Sequence, residues 1–233
     1  MRIRPHSGNT DKRQKAAVRY NGGVQKHGLF VISAPSGAGK TSLVKALLER
    51  DRALSVSVSH TTRARRPTEE EGREYWFVTQ QQFKERLDRG EFLEHAQVFD
   101  NYYGTGKATV AALLAAGRDV ILEIDWQGAR QVRQSAPGCT TIFILPPSRA
   151  ALEERLRNRR TDSDTVIARR LRDAVSDMSH YREFDYVVVN DDFESACRQL
   201  QSILAGDGQA LRSDRAQLGP LLADLLGAPQ GAG

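Results

Sequence analysis

The sequence predicts an α/β fold in which a parallel sheet flanked by helices carries an α+β insertion and a helical lid. Three observations support this fold. Short apolar runs alternate with helical periodicity along most of the 233 residues, one region breaks that alternation, and one arginine-rich region has no strand pattern. An apolar fraction of 39% can build the core of one large domain.

Four apolar runs predict the strands of the parallel sheet, since each is short, continuous and bounded by turn or helix signals. They are residues 28–33, 119–125, 140–145 and 186–190. Helical periodicity follows or separates them at residues 40–50, 126–136, 149–158, 163–180 and 192–205.

Residues 55–103 interrupt this order with short alternating strands at 55–59, 74–78 and 92–99, and with one helix at 80–89 that Thr79 caps. Residues 149–172 carry eight arginines and four acids and predict a helical hairpin with a basic face. The predicted division is therefore as follows: a basic, disordered tail, a core in three pieces, an insertion, a lid and a C-terminal helix or tail. The tail is residues 1–26 and the core is residues 27–54, 106–148 and 173–207. The insertion is residues 55–105, the lid is 149–172, and the C-terminal helix or tail is 208–233.

The net charge of +5 is located in the tail. Residues 1–26 hold seven Lys or Arg and one Asp, whereas the remaining 207 residues hold 27 bases and 28 acids. The basic balance is therefore no argument for a specific nucleic-acid partner of the fold, although the tail could bind RNA weakly.

The sequence favours a cytoplasmic protein. No apolar run approaches the roughly 18 residues of a membrane span, and the N-terminus lacks the apolar segment of a secretory signal. Cys139 and Cys197 are the only cysteines, and their spacing fits two buried thiols in a reduced compartment. The Arg-rich, acid-poor start leaves a transit peptide as an alternative.

A phosphate-binding loop lies between the first predicted strand and helix. Residues 34–41 read APSGAGKT and match the pattern G-x-x-x-x-G-K-[ST] except at Ala34. Glycines let backbone N–H groups approach phosphate oxygens, and the helix that follows directs its positive end at the anion. Lys40 would reach the β- and γ-phosphates and Thr41 would ligate Mg²⁺, while Glu123 or Asp125 supplies an acid at the end of a neighbouring strand.

A series of motifs after this loop resembles the guanylate kinase family. They are SVSHTTRARR at 57–66, GREYWF at 72–77, EFLE at 91–94, NYYGT at 101–105, IDWQG at 124–128, IFILPP at 142–147 and VVND at 188–191. The likeness spans residues 28–205 and excludes both termini. Several motifs in one order make this resemblance more specific than any one of them.

The resemblance implies an ATP:GMP phosphotransferase with Mg²⁺ as cofactor and ATP and GMP as substrates, with no membrane partner and the oligomeric state left open. It implies four roles. The ATP-binding residues are Ala34, Pro35, Ser36, Gly37, Ala38, Gly39, Lys40, Thr41, Ser42 and Asn190. The GMP-binding residues are Ser59, Arg63, Arg66, Tyr75, Glu94, Tyr103, Thr105, Glu123 and Asp125. The catalytic residues are Lys40, Arg63, Arg155, Arg159 and Arg170. The metal is held by Thr41, with Asp125 acting through water.

Chemistry agrees with these roles. Guanidinium groups match phosphate oxygens, and a carboxylate at Glu94 can accept both N–H donors of the guanine edge, a donor pair that adenine lacks. Lid arginines would stabilise the charge of the transferring phosphoryl group.

Two rival functions are open at this point. A related kinase of another phosphorylated acceptor would lack the guanine-reading residues. A peptide-binding scaffold domain would have a degraded phosphate loop.

Overall fold

The computed structural model describes residues 28–98, 100–158 and 164–227, and the backbone of two short strands before them. The strands are β1 Arg19–Tyr20, β2 Gly23–Val24, β3 Leu29–Ser33, β4 Leu54–Val56, β5 His60–Thr61, β6 Trp76–Phe77, β7 Phe92–Val98, β8 Asn101–Gly106, β9 Asp119–Glu123, β10 Thr140–Leu145 and β11 Tyr186–Val189. The α-helices are α1 Lys40–Arg50, α2 Gln80–Asp88, α3 Lys107–Ala115, α4 Trp126–Ser135, α5 Arg149–Arg157, α6 Asp164–Met178, α7 Phe193–Leu204 and α8 Gly219–Leu226.

The central sheet has the strand order β11-β10-β3-β9-β4, and every neighbouring pair in it is parallel. Strands β3, β9, β10 and β11 are buried on both faces, which is why they are continuous apolar runs in the sequence. Phe30 and Ile32 of β3 pack toward α1 and α7, whereas Leu29 and Val31 face the opposite layer with α4, α5 and α6. This confirms the predicted fold class.

One predicted strand belongs to a different sheet. Residues 55–59 were expected to open the insertion, and that expectation is wrong, because Leu54–Val56 pairs in parallel with β9 at the edge of the central sheet. The Ser57 N–H extends this pairing by donating to the Ile121 carbonyl at 3.1 Å. The alternation of serine and valine resembles a half-exposed strand, although Leu54 is buried in the core.

The insertion has its own mixed sheet, with the order β6-β5-β8-β7. Helix α2 covers it and begins with a capping box, in which Thr79 accepts from the Gln82 N–H and the Gln82 side chain accepts from the Thr79 N–H. Strand β8 and helix α3 have no counterpart in the sequence prediction.

Helices α5 and α6 form the two arms of the predicted lid, and α8 follows two short 3₁₀ turns after α7. The predicted tail, apart from the β1–β2 ladder, lies outside the described residues. Among the described residues no helix combines the length and the apolar character that a membrane span needs.

Candidate active site

The phosphate loop is held open by two glycines with left-handed backbone. Gly37 has φ 90° and Gly39 has φ 94°. A Cβ atom at Gly39 would lie 2.4 Å from Asn190 Nδ2, so the loop has no room for a side chain there. The Ala34 that departs from the motif precedes this strained part, and the loop forms without a glycine at its first position.

Lys40 and Thr41 begin helix α1 directly after the loop. Lys40 Nζ donates to the Ile124 carbonyl at 3.3 Å, and burial lowers its pKa, while Glu123 and Asp125 act in the opposite direction. The Thr41 hydroxyl donates to Glu123 Oε1 at 2.6 Å. A cation, a hydroxyl and a carboxylate therefore converge where the loop meets the carboxyl end of β9.

The side chain of Asn190 braces the phosphate loop by a hydrogen bond to its backbone. Its Nδ2 donates to the Ala38 carbonyl at 2.7 Å, and its side chain is buried. Its own carbonyl accepts from Arg155 Nη2 of α5 at 2.9 Å, while Arg155 Nη1 is buried with no hydrogen-bond partner among the described residues. Asn190 thus connects the phosphate loop with helix α5, the first arm of the predicted lid.

A buried carboxyl group lies in the insertion. Glu94 of β7 is 5% exposed, and its Oε1 accepts from the Thr105 hydroxyl at 2.6 Å. The Thr105 hydroxyl lies 3.2 Å from that of Ser59. Desolvation raises the pKa of Glu94 to about 7, and the charge of Asp125 adds to this rise.

The first residues of α4 leave space for that carboxyl group. A Cβ atom at Gly128 would lie 3.0 Å from Glu94 Oε2. The Asp125 side chain caps α4 by accepting from the Gly128 N–H at 2.8 Å.

A cluster of arginine and tyrosine side chains, Arg63, Tyr75 and Tyr103, also lies in the insertion. The Arg63 guanidinium lies 5.5 Å from the centre of the Tyr75 ring, and the Tyr75 and Tyr103 rings meet edge to face at 5.8 Å. Burial raises the pKa of Tyr75, and the charges of Tyr103 and Glu123 add to this. Because Glu123 is also the partner of Thr41, this cluster lies within electrostatic reach of the phosphate-loop residues.

The other predicted site residues are less closely tied to these groups. Pro35 is buried and its carbonyl accepts from the Ala38 N–H, whereas Ser36 and Ser42 are exposed. Arg66 is exposed and Arg170 lies half-buried on α6. Arg159 lies outside the described residues.

One acid at this site was missed by the sequence reasoning. Glu69 Oε1 accepts from Arg63 Nη2 at 2.6 Å, and Glu69 Oε2 accepts from the Arg66 N–H at 2.9 Å. The only signal in the sequence is an acid three residues beyond Arg66, in a run of three glutamates that otherwise resembles a solvated turn.

A phosphate loop by itself is common to many nucleotide-binding proteins. Here a second group of arginine, tyrosine and buried carboxyl side chains lies on a separate sheet within electrostatic reach of that loop. Fold and site together define a P-loop kinase of the nucleoside monophosphate class.

Comparisons with known proteins specify the family within this class. The family model described as guanylate kinase matches residues 26–207. The chain belongs to the guanylate kinase family. This confirms the family and the enzyme class predicted from the motifs.

Individual relatives of the chain support the same family assignment. The chain is 58% identical over 199 residues to the guanylate kinase of Methylococcus capsulatus, covering 85% of this chain and 98% of the relative. It is 56% identical over 199 residues, with the same coverage, to that of Alkalilimnicola ehrlichii. A crystal structure of guanylate kinase from Anaplasma phagocytophilum is similar at 34% identity and a TM-score of 0.63, covering 84% of this chain and 94% of that one.

Proposed function

We propose that this chain transfers the γ-phosphoryl group of ATP to GMP, giving ADP and GDP. The observation that carries the proposal is the buried Glu94 carboxyl group with its two hydroxyl neighbours, within a kinase of this family whose phosphate loop keeps its glycines, Lys40 and Thr41.

The donor nucleotide would bind at residues 34–42. The loop N–H groups and Lys40 would neutralise its phosphates, and the desolvated surroundings of Lys40 strengthen that attraction. Asn190 would contribute to ATP binding by holding the Ala38 carbonyl and so shaping the loop.

The residues beside Thr41 fit a magnesium ion. A hydroxyl oxygen and a carboxylate oxygen 2.6 Å apart are hard oxygen donors of the type that Mg²⁺ prefers. Thr41 would ligate the ion, and Asp125 together with Glu123 would hold its water molecules. When bound, Mg²⁺ neutralises charge on the donor phosphates. Magnesium titration of a Thr41→Ala variant tests this, because the proposal expects a higher requirement for the ion.

The acceptor would lie on the insertion. Glu94 would accept from N1–H and N2–H₂ of guanine, and Ser59 and Thr105 would face its acceptor atoms. Arg63, Arg66, Tyr75 and Tyr103 would hold its phosphate; they are the cations and neutral phenols that this requires.

Transfer needs no protein nucleophile. Lys40 supplies positive charge beside the transferring phosphoryl group, Arg63 and Arg66 hold the acceptor phosphate in line, and positioning supplies much of the remaining acceleration. We further propose that Arg155, Arg159 and Arg170 complete this charge when the lid closes, that the sheet of the insertion (β5 to β8) closes with it, and that the protein acts in the cytoplasm.

A coupled ADP-release assay with GMP and AMP as alternative acceptors tests the function. Turnover with GMP that exceeds turnover with AMP by several orders of magnitude is the expected result. Equal or better turnover with AMP would overturn the role of Glu94, and no turnover with either would overturn the activity.

A further inference from the structure

Glu69 contacts both arginines that are assigned to the acceptor phosphate. It lies in the loop between β5 and β6, outside the matched motifs, and its side chain is 11% exposed. One carboxylate oxygen accepts from the side chain of Arg63 and the other from the main-chain N–H of Arg66.

The geometry leaves Arg63 able to bind a phosphate at the same time. A guanidinium group has five N–H donors. Glu69 engages one on Nη2, and the Ala64 carbonyl accepts one from Nη1 at 2.8 Å, so three donors are not used by these bonds. The rings of Tyr75 and Phe77 lie 5.5 and 5.9 Å from the guanidinium carbon and limit its movement.

A competing role for Glu69, as an anion that occupies Arg63 until the phosphate displaces it, fits the contacts less well. Its second oxygen is bound to the main chain at Arg66, and an arriving phosphate does not remove that bond. The hydrogen bond from Arg63 also lowers the pKa of Glu69, so the carboxylate is ionised throughout the neutral range.

We propose that Glu69 is a positioning residue, which fixes the Arg63 side chain and the loop at Arg66 in the geometry that receives the acceptor phosphate. This inference rests on the proposed function. Since Glu69 acts on binding of the acceptor in ground and transition states alike, its loss should raise KM for GMP without changing kcat.

The test compares Glu69→Gln with Glu70→Gln. Glu70 is the adjacent acid, but it is exposed and, among the described residues, its ion pair is with the exposed Arg73. For Glu69→Gln we expect KM for GMP to rise about tenfold, the loss of one charged hydrogen bond, while KM for ATP and kcat stay within about twofold. Glu70→Gln should leave all three unchanged. A fall in KM for GMP would establish Glu69 as a competitor and overturn the proposal, as would an unchanged KM.

A double-mutant cycle shows whether Glu69 acts through Arg63. In an Arg63→Ala background, Glu69→Gln should change GMP affinity by much less than tenfold, because only its hydrogen bond with the Arg66 main chain is left to lose. A full tenfold effect in that background would overturn the proposal. An Arg63→Ala protein with unchanged GMP affinity would overturn it as well.

Binding and turnover separate this proposal from the assigned activity. The double-mutant cycle is measured by isothermal titration with GMP as well as by ADP release. If the protein binds GMP without phosphorylating it, the proposed activity is refuted, while the binding data still decide the role of Glu69. Thermal melts report whether each variant folds. If Glu69→Gln does not, Glu69→Asp takes its place, with the same outcomes for and against.

Discussion

The buried carboxyl group of Glu94 should make the protein less stable at the pH at which it recognises guanine. Its pKa is raised from 4.5 to about 7 because the site is desolvated. Between these values the native state binds a proton that the unfolded chain has lost, so the free energy of unfolding falls as the pH rises. The stabilisation that protonated Glu94 adds to the free energy of unfolding is complete below pH 4.5 and is lost as the pH passes about 7.

The size of the effect follows from the two pKa values. Linkage gives a loss of about 2.5 kcal/mol between pH 5 and pH 8. Glu94→Gln removes the ionisation, so relative to this variant the wild type should lose about that amount over the same interval. The variant should also lose about a hundredfold or more in kcat/KM for GMP, since the amide cannot accept both guanine N–H groups. In the wild type, kcat/KM for GMP should rise with pH through about 7 as the carboxylate forms.

Urea unfolding of both proteins at pH 5 and pH 8 measures the difference, and the ADP-release assay measures recognition. Glu91→Gln is the matched control on the same side of the insertion. The hydrogen bond from Arg89 lowers the pKa of Glu91, so the wild type should show no such decline relative to Glu91→Gln. That variant keeps Glu94, so its own free energy of unfolding should fall with pH as that of the wild type does. Parallel pH profiles for the wild type and Glu94→Gln would refute the reasoning, because they would mean that Glu94 is ionised in the native state as readily as in the unfolded chain.

Three further predictions test the phosphate loop, a helix cap and the tail. Gly39→Ala should abolish ATP binding in calorimetry, because its Cβ would meet Asn190. Gly206→Ala is the control: it has φ 90° and no described atom within 4 Å of its Cβ, so it should lower the free energy of unfolding by only about 1–2 kcal/mol and leave turnover unchanged. Equal effects of the two substitutions would contradict this. Thr79→Ala should lower the free energy of unfolding by about 1 kcal/mol in urea with kcat unchanged, and an unchanged midpoint would show that the capping box is dispensable. Deleting residues 1–26 should leave GMP turnover intact; a large fall in kcat would make the tail part of the catalytic machinery.

The central sheet could be predicted because its chemistry is local. Continuous apolar runs such as residues 140–145 become strands buried on both faces, and the glycine pattern at 34–41 dictates a strand–loop–helix turn. Strand β8 was missed because its sequence, NYYGTG, has two glycines and an asparagine and becomes a strand only through pairing with β5 and β7. Helix α3, rich in alanine and apolar residues, lacks the polar stripe that indicates an amphipathic helix.

The site was predictable at the residues that the family motifs contain, and less so at those that support them. Glu69 and the brace from Asn190 to Ala38 depend on contacts between segments, which spacing along one chain does not encode. The pairing of Thr41 with Glu123 likewise joins the first turn of α1 to the end of β9, which the order of strands in the sheet brings together.

The hydrogen bond between Asn190 and Ala38 also sets an order of events during synthesis. The two residues are 152 positions apart in the chain. At about 5–20 residues per second, the ribosome needs roughly 8–30 s after making the loop to produce the residue that braces it. The glycine-rich turn thus spends that time without its brace, and the nascent chain acquires its final loop geometry only when strand β11 has emerged and paired.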